Sequence, residues 1–191
     1  GRLVGSTTDG LGTLRAFEDA GIALSGKRVL FLGSGGAVRS VAFAFAERAQ
    51  PAAMTLLGRT PQNLADLAED LARGLPAEAQ LPIRTGSLDT DLAEALATHE
   101  IIVQGTSVGM HGHDEGHSLV PADLLQADHA VFDMVYRPLK TRLILDAEAA
   151  GCRVILGLEM LVNQAVLQFE TWTGVPAPRE VMRDALLNAL Q

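Results

Sequence analysis

One short stretch, Gly33-Ser34-Gly35-Gly36-Ala37, has the residue sizes and spacing to hold a phosphorylated ligand. It follows the apolar run Arg28-Val29-Leu30-Phe31-Leu32 and opens a segment with helical spacing. Small side chains let a backbone approach a pyrophosphate, and the free amides at a helix start point at its oxygens. A tight strand-to-helix turn that binds nothing can carry the same residues. Its place after the first strong strand of an alternating chain favours a dinucleotide. A second signal ends the next apolar run, at Gly58-Arg59-Thr60. A turn that holds an unphosphorylated ribose usually places an acid there, and here no acid follows until Asp66. A guanidinium suits a 2′-phosphate by charge and by its fork of donors, and the Thr60 hydroxyl can add a bond. The alternative is a solvated arginine after a strand. Arg39, on the first turn after the glycines, is another cation that can reach an adenosine phosphate. The cofactor these residues point to is NADP.

These residues need a scaffold, and the hydrophobic pattern supplies one. Apolar runs spanning Arg28–Gly33, Ala53–Leu57, Leu81–Thr85, Ile101–Gln104, Ala130–Asp133 and Arg153–Leu156 read as strands. Helical stretches alternate with them: about 37–47, from Pro61 onward, about 89–97 and 140–149. A helix over about 9–20 precedes the first strand, and helices over about 159–171 and 179–190 close the chain. Pro61 suits a first helical position, and Gly151 suits a helix stop. This rhythm predicts an α/β fold: a doubly wound, Rossmann-type, mostly parallel six-stranded sheet flanked by helices, ordered 3-2-1-4-5-6. Residues 1–191 read as one such domain with C-terminal helices.

Composition narrows the function. With 48% hydrophobic residues the chain is not a disordered one. A net charge of −8, with no basic stretch, disfavours nucleic acid and anionic membrane as partners. No apolar run reaches the roughly 18 to 20 residues a membrane helix needs. The single cysteine, Cys152, rules out an internal disulfide, fits a cytoplasmic location and reads as a buried structural thiol.

Several segments, in order along nearly the whole chain, resemble the shikimate dehydrogenase family. They are Gly5-Ser6-Thr7-Thr8-Asp9-Gly10-Leu11-Gly12, the glycine turn with Gly58-Arg59-Thr60, and Gln104-Gly105-Thr106-Ser107-Val108-Gly109-Met110. Asp133 to Thr141 forms the fourth, and Gly157 to Ala165 followed by Trp172-Thr173-Gly174 the last. The resemblance implies NADP-linked reduction of 3-dehydroshikimate to shikimate by hydride transfer. The substrate is then a small polyhydroxy carboxylate. The resemblance also assigns roles. Asp9 matches a catalytic carboxylate that works beside a lysine. Gln164 and Tyr136 match substrate-side groups. Thr106, Ser107 and Met134 match the lining of the nicotinamide pocket, and Gly157 a glycine that lets the nicotinamide amide approach backbone. By local sequence alone Asp9 reads as a helix N-cap.

The lysine is the difficulty. Lys27 and Lys140 are the lysines in this sequence, and neither matches the family's catalytic one. The resemblance places that group in an N-terminal substrate-binding domain absent from this chain. A non-catalytic NADP-binding or regulatory module is therefore an open alternative. Thr7, Gly58, Gln104-Gly105 and Glu159 depart from the family pattern, so quinate or an aminated shikimate analogue stays open as substrate. His111, His113 and His117 with Asp114 and Glu115 read as a solvated, glycine-rich loop over the cleft, with no metal assigned. Asp66, Glu69 and Asp70 read as a wet helix face, and Trp172 as a core anchor.

Overall fold

Val29 and Phe31 face one side of the first strand, and Leu30 and Leu32 face the other; all four are fully buried. Four successive apolar residues in a strand must be covered on both faces, and a sheet between two helical layers does that. The computed structural model, which describes residues 1–2, 5–76 and 81–190, shows this arrangement. Its strands are β1 (Arg28–Leu32), β2 (Ala53–Gly58), β3 (Ile83–Ser87), β4 (Ile101–Gln104), β5 (Ala130–Asp133) and β6 (Arg153–Ile155). Its helices are α1 (Asp9–Asp19), α2 (Gly36–Arg48), α3 (Pro61–Gly74), α4 (Leu92–Thr98), α5 (Arg142–Ala149), α6 (Gly157–Thr173) and α7 (Arg179–Leu190). The sheet runs β3-β2-β1-β4-β5-β6, and every pairing is parallel, in the order the sequence predicts.

Alternation along the strands divides the core. On one face Val29, Phe31, Met54, Leu56, Val103 and Phe132 meet α1, α2 and α3. On the other Leu30, Leu32, Leu57, Ile102 and Val131 meet Leu96 of α4 and Leu143 and Ala147 of α5. Phe17 of α1 ties the first layer together. Its ring stands edge-on to Phe45 of α2 at 5.3 Å and to Phe132 of β5 at 5.8 Å. Glycines bring α1 close to its neighbours. A Cβ at Gly10 would lie 2.5 Å from the Ser40 carbonyl oxygen on α2, and one at Gly12 would lie 2.9 Å from the Gln164 nitrogen on α6. A third, smaller cluster joins Leu158, Val162 and Val166 of α6 to Met182, Leu186 and Leu187 of α7.

Element boundaries differ from the sequence reading where side chains override propensity. The third strand lies two residues later than expected, because it is an edge strand whose register is set by β2 alone, Met54 opposite Ile83. Before α4, the Asp91 carboxylate accepts from the Ser87 amide at 2.7 Å and closes a turn, so the helix begins later than the pattern suggests. Thr141 caps α5 by accepting from the Ile144 amide, which delays that helix to Arg142. Trp172 is no core anchor: it is 78% exposed. It lies six positions beyond Val166, about 240° further round the helix, and so turns away from α7. Cys152 is half-buried rather than buried, with Sγ 3.0 Å from the Gln126 carbonyl oxygen. The acidic face of α3 is not wholly idle, since Asp70 bonds both Arg39 and Arg73. Among the described residues no helix is long and apolar enough to cross a membrane.

The layering predicts unequal costs for two aromatic truncations of this chain. Phe17→Ala should lose about 3–5 kcal/mol of unfolding free energy, because it empties the junction of α1, α2 and β5. Trp172→Ala should stay within about 0.5 kcal/mol. Urea unfolding of the two variants checks this, and equal losses would contradict the assigned core.

Candidate functional site

All six strands run the same way, so their carboxyl ends share one edge of the sheet. β1 connects to β2 on one side and is flanked by β4 on the other. At such a reversal of strand order the connecting loops part and leave a crevice. A cleft of about 560 Å³ opens there. It is lined by Gly33, Ser34 and Gly35 after β1, by Gly58, Arg59 and Thr60 after β2, and by Gly105, Thr106 and Ser107 after β4. Three stretches far apart in sequence thus converge as expected.

Local chemistry prepares this cleft for an anion. Gly33 has φ +110°, a conformation that L side chains rarely adopt, and its amide bonds the Leu57 carbonyl at 2.7 Å. α2 starts at Gly36, and no side chain caps it at Gly35, which leaves its first-turn amides for another partner. Arg59 and Thr60 are exposed, and Arg59 takes part in no ion pair among the described residues. These features fit a phosphorylated dinucleotide: small residues under it, unclaimed amides, and a free guanidinium at the far rim. Arg39 is placed differently. Its guanidinium pairs with Asp70 at 2.5 Å and lies over the Phe43 ring, and it does not line this cleft.

Gly36, Ala37, Met134 and Gly157 do not line the cleft directly. Met134 and Gly157 form its support at the β4–β5 side. A Cβ at Gly157 would lie 2.5 Å from the Val135 carbonyl oxygen and 2.7 Å from that of Met134, so only glycine lets α6 start there. At Gly105 a Cβ would overlap Val38 Cγ2 and lie 3.1 Å from Met134 Sδ. The glycine that departs from the family pattern is thus demanded by Val38 and Met134.

Asp9 is the first residue of α1, not its cap. The N-cap is Thr8, and the Asp9 amide is 3.4 Å from Thr7 Oγ1. The Asp9 carboxylate has no hydrogen-bond or ion-pair partner among the described residues, and it lines a separate hollow with Thr7, Thr8, Gln168 and Trp172. Gln164 lies on α6, which packs on α1 through Gly12, and Gln168 one turn on donates to Thr8 Oγ1 at 2.9 Å. Tyr136 is exposed. Asp9 and Gln164 therefore sit on adjoining helices. Neither they nor Tyr136 line the cofactor cleft. In the histidine loop His111 meets Glu115 at 2.9 Å and Asp114 lines the cleft. No group of three metal-ligating side chains forms among the described residues.

Sequence reasoning overlooked a buried polar couple behind the cleft. Gln104 ends β4 and Asp133 ends β5, in register with each other. They are 2% and 0% exposed. Asp133 accepts from Thr141 Oγ1 at 2.6 Å and from the Val135 amide at 3.0 Å. Burial pushes its carboxyl up to about 6, against the pull of these two bonds. The available signal was a charged residue closing an otherwise apolar strand.

Comparison with known proteins gives this site its context. Residues 157–187 match the family model described as the shikimate 5′-dehydrogenase C-terminal domain. The chain is 38% identical over 192 aligned residues to a shikimate dehydrogenase (NADP(+)) of Methanosarcina acetivorans, covering 100% of this chain and 66% of that protein. Among solved structures, the Thermus thermophilus shikimate 5-dehydrogenase in complex with NADP(H) and shikimate superposes with a TM-score of 0.80. It is 36% identical, over 99% of this chain and 65% of its own. A quinate dehydrogenase from Corynebacterium glutamicum in complex with NAD gives 0.86 at 26% identity, over 96% of this chain and 63% of its own. The fold and the crevice at the reversal of strand order are those of a Rossmann-type α/β domain. The chain belongs to the shikimate dehydrogenase family, and it spans just under two thirds of the length of these relatives.

The buried carboxyl makes stability depend on pH. Its folded value, about 6, lies above the ordinary aspartate value, so the native state holds the proton more tightly. Its contribution is fully present below about pH 4, is lost as pH rises through about 6, and then levels off. Relative to Asp133→Asn, the wild type should lose about 2–3 kcal/mol of unfolding free energy between pH 4 and pH 7. Urea unfolding across that range measures the difference. Parallel curves would show that Asp133 is not titrating in the fold.

Proposed function

We propose that the cleft binds NADP(H) and that the protein acts as an NADP-dependent shikimate dehydrogenase. The reaction is reduction of 3-dehydroshikimate to shikimate, or its reverse. The observation that carries this reading is the convergence of Gly33-Ser34-Gly35, Arg59-Thr60 and Thr106-Ser107 at one switch point of the sheet. The unclaimed amides at the start of α2 take the pyrophosphate oxygens. Arg59, helped by Thr60, takes the 2′-phosphate by charge and by paired donors. Thr106 and Ser107, backed by Met134, receive the nicotinamide end, and Gly157 lets backbone approach it. Two of the relatives named above are NADP-linked or solved with NADP(H), which supports the cofactor choice, while the quinate dehydrogenase is solved with NAD.

When bound, the cofactor supplies or accepts the hydride. What falls to the protein is the proton and the orientation of a small polyhydroxy carboxylate. Hydride addition to a ketone leaves an alkoxide-like oxygen, which a placed proton donor stabilises. The unpartnered Asp9 carboxylate is suited to hold such a donor and to accept from a substrate hydroxyl. Gln164, whose side chain makes no hydrogen bond among the described residues, and Tyr136 are suited to bind further substrate oxygens. The donor itself is a lysine. Lys27 enters β1 at its amino end and pairs with Glu100, and Lys140 pairs with Glu148. Neither is placed for the role, so we assign it to a substrate-binding domain outside these 191 residues. A cytoplasmic setting fits the lone thiol.

Titration with NADPH and NADH tests the cofactor. Arg59→Ala should weaken NADPH by at least about tenfold, roughly 1.4 kcal/mol, and leave NADH unchanged. Equal loss for both would remove Arg59 from its role. In a polypeptide carrying the lysine domain, Asp9→Asn should lower turnover by about 100-fold or more while changing NADPH affinity by less than about twofold. An unaltered rate would leave Asp9 a structural residue.

A further inference from the structure

The Gln104–Asp133 couple is more than a satisfied buried pair, because its bonds reach both the cleft-lining segment 106–108 and the segment after β5. Gln104 Oε1 accepts from the Thr106 amide at 2.5 Å, and Nε2 donates to the carbonyls of Thr106 at 3.3 Å and Val108 at 3.1 Å. The Thr106 hydroxyl in turn accepts from the Val108 amide at 3.2 Å. The cleft-lining segment 106–108 is thus folded around one side chain rather than held by sheet bonds. Gln104 Nε2 also reaches Asp133 Oδ1 at 3.4 Å. That same oxygen holds the Val135 amide, and Oδ2 holds Thr141 at the start of α5. Val135 and Met134 present the carbonyls against which Gly157 and the first turn of α6 are packed.

We propose that Gln104 and Asp133 are positioning residues that act as one unit, setting the nicotinamide half of the cleft and leaving the adenosine half untouched. Gln104 shapes the loop after β4. Asp133 fixes the segment after β5, and through it the entry to α6. Arg59 and Thr60 lie after β2, on the far side of β1, and receive no bond from either residue. This inference rests on the nucleotide reading of the cleft. It goes further in assigning two residues that never face the ligand to one end of it. Such a support matters because binding geometry is set by what immobilises the contact residues as much as by the contacts.

The test splits the ligand. NADPH spans both halves, whereas 2′,5′-ADP fills the adenosine half alone. Gln104→Met keeps the side-chain length and removes every polar atom. It should weaken NADPH about tenfold and change 2′,5′-ADP by less than about twofold. The Thr106 amide should also exchange with deuterium faster in the nucleotide-free variant. Asp133→Asn retains an acceptor for the Val135 amide and should fall between the wild type and Gln104→Met, which guards against a variant that merely folds poorly. Equal weakening of both ligands in Gln104→Met, or of neither, overturns the proposal. Wild-type protein that binds 2′,5′-ADP and NADPH equally well also overturns it, because the nicotinamide half would then contribute nothing. Wild-type protein that binds neither ligand overturns the reading of the cleft itself, and this proposal falls with it.

Discussion

Close approach of backbones at the carboxyl edge of the sheet is the constraint on which the site depends. At Gly33, Gly105 and Gly157 an added Cβ would meet Thr106, Val38 or the Val135 carbonyl at or inside contact distance. Each glycine stands just after a strand. Without them the loops after β1 and β4 and the start of α6 could not come together, and the crevice would fill with side chains. A dinucleotide needs this bareness, because its phosphates are held mainly by amides that side chains would shield.

Crowded backbones leave few ways to satisfy buried polar groups, and the structure meets this at one point. Gln104 and Asp133 sit side by side at the ends of neighbouring strands and serve the amides and carbonyls that the sheet cannot. The burial that raises the Asp133 carboxyl is the cost of that service, offset by the bonds from Thr141 and Val135. Buried polar networks of this kind specify one arrangement because a partly satisfied alternative is far less stable. The cleft is thus rigid on its β4–β5 side. Its Arg59 rim is exposed and open to a charged partner.

A second consequence concerns Asp9 and Gln164. They stand on α1 and α6, which pack through Gly12, and not on the loops that line the cleft. Two helices joined through a glycine contact form a stiff support, and the Asp9 carboxylate lines a hollow beside it. In the proposed function the cofactor contacts belong to the sheet edge, and the substrate contacts to the helices that flank it.

The local sequence was enough for the strand order, for the glycine turn and for the place of Arg59 at the end of β2. Each depends on short-range features: two-residue alternation, the small size of Gly33-Ser34-Gly35-Gly36, and charge at a strand end. It also sufficed to place β4, β5 and α7 within their observed bounds, because apolar period and flanking breakers agree there. Only the tertiary structure decided that Asp9 heads its helix with a free carboxylate instead of capping it, that Trp172 turns to solvent, and that Asp70 holds Arg39 away from the cleft. It alone joined Gln104 to Asp133. These outcomes depend on which residues distant in the chain become neighbours, and local periodicity carries no record of a partner 29 or 31 residues away.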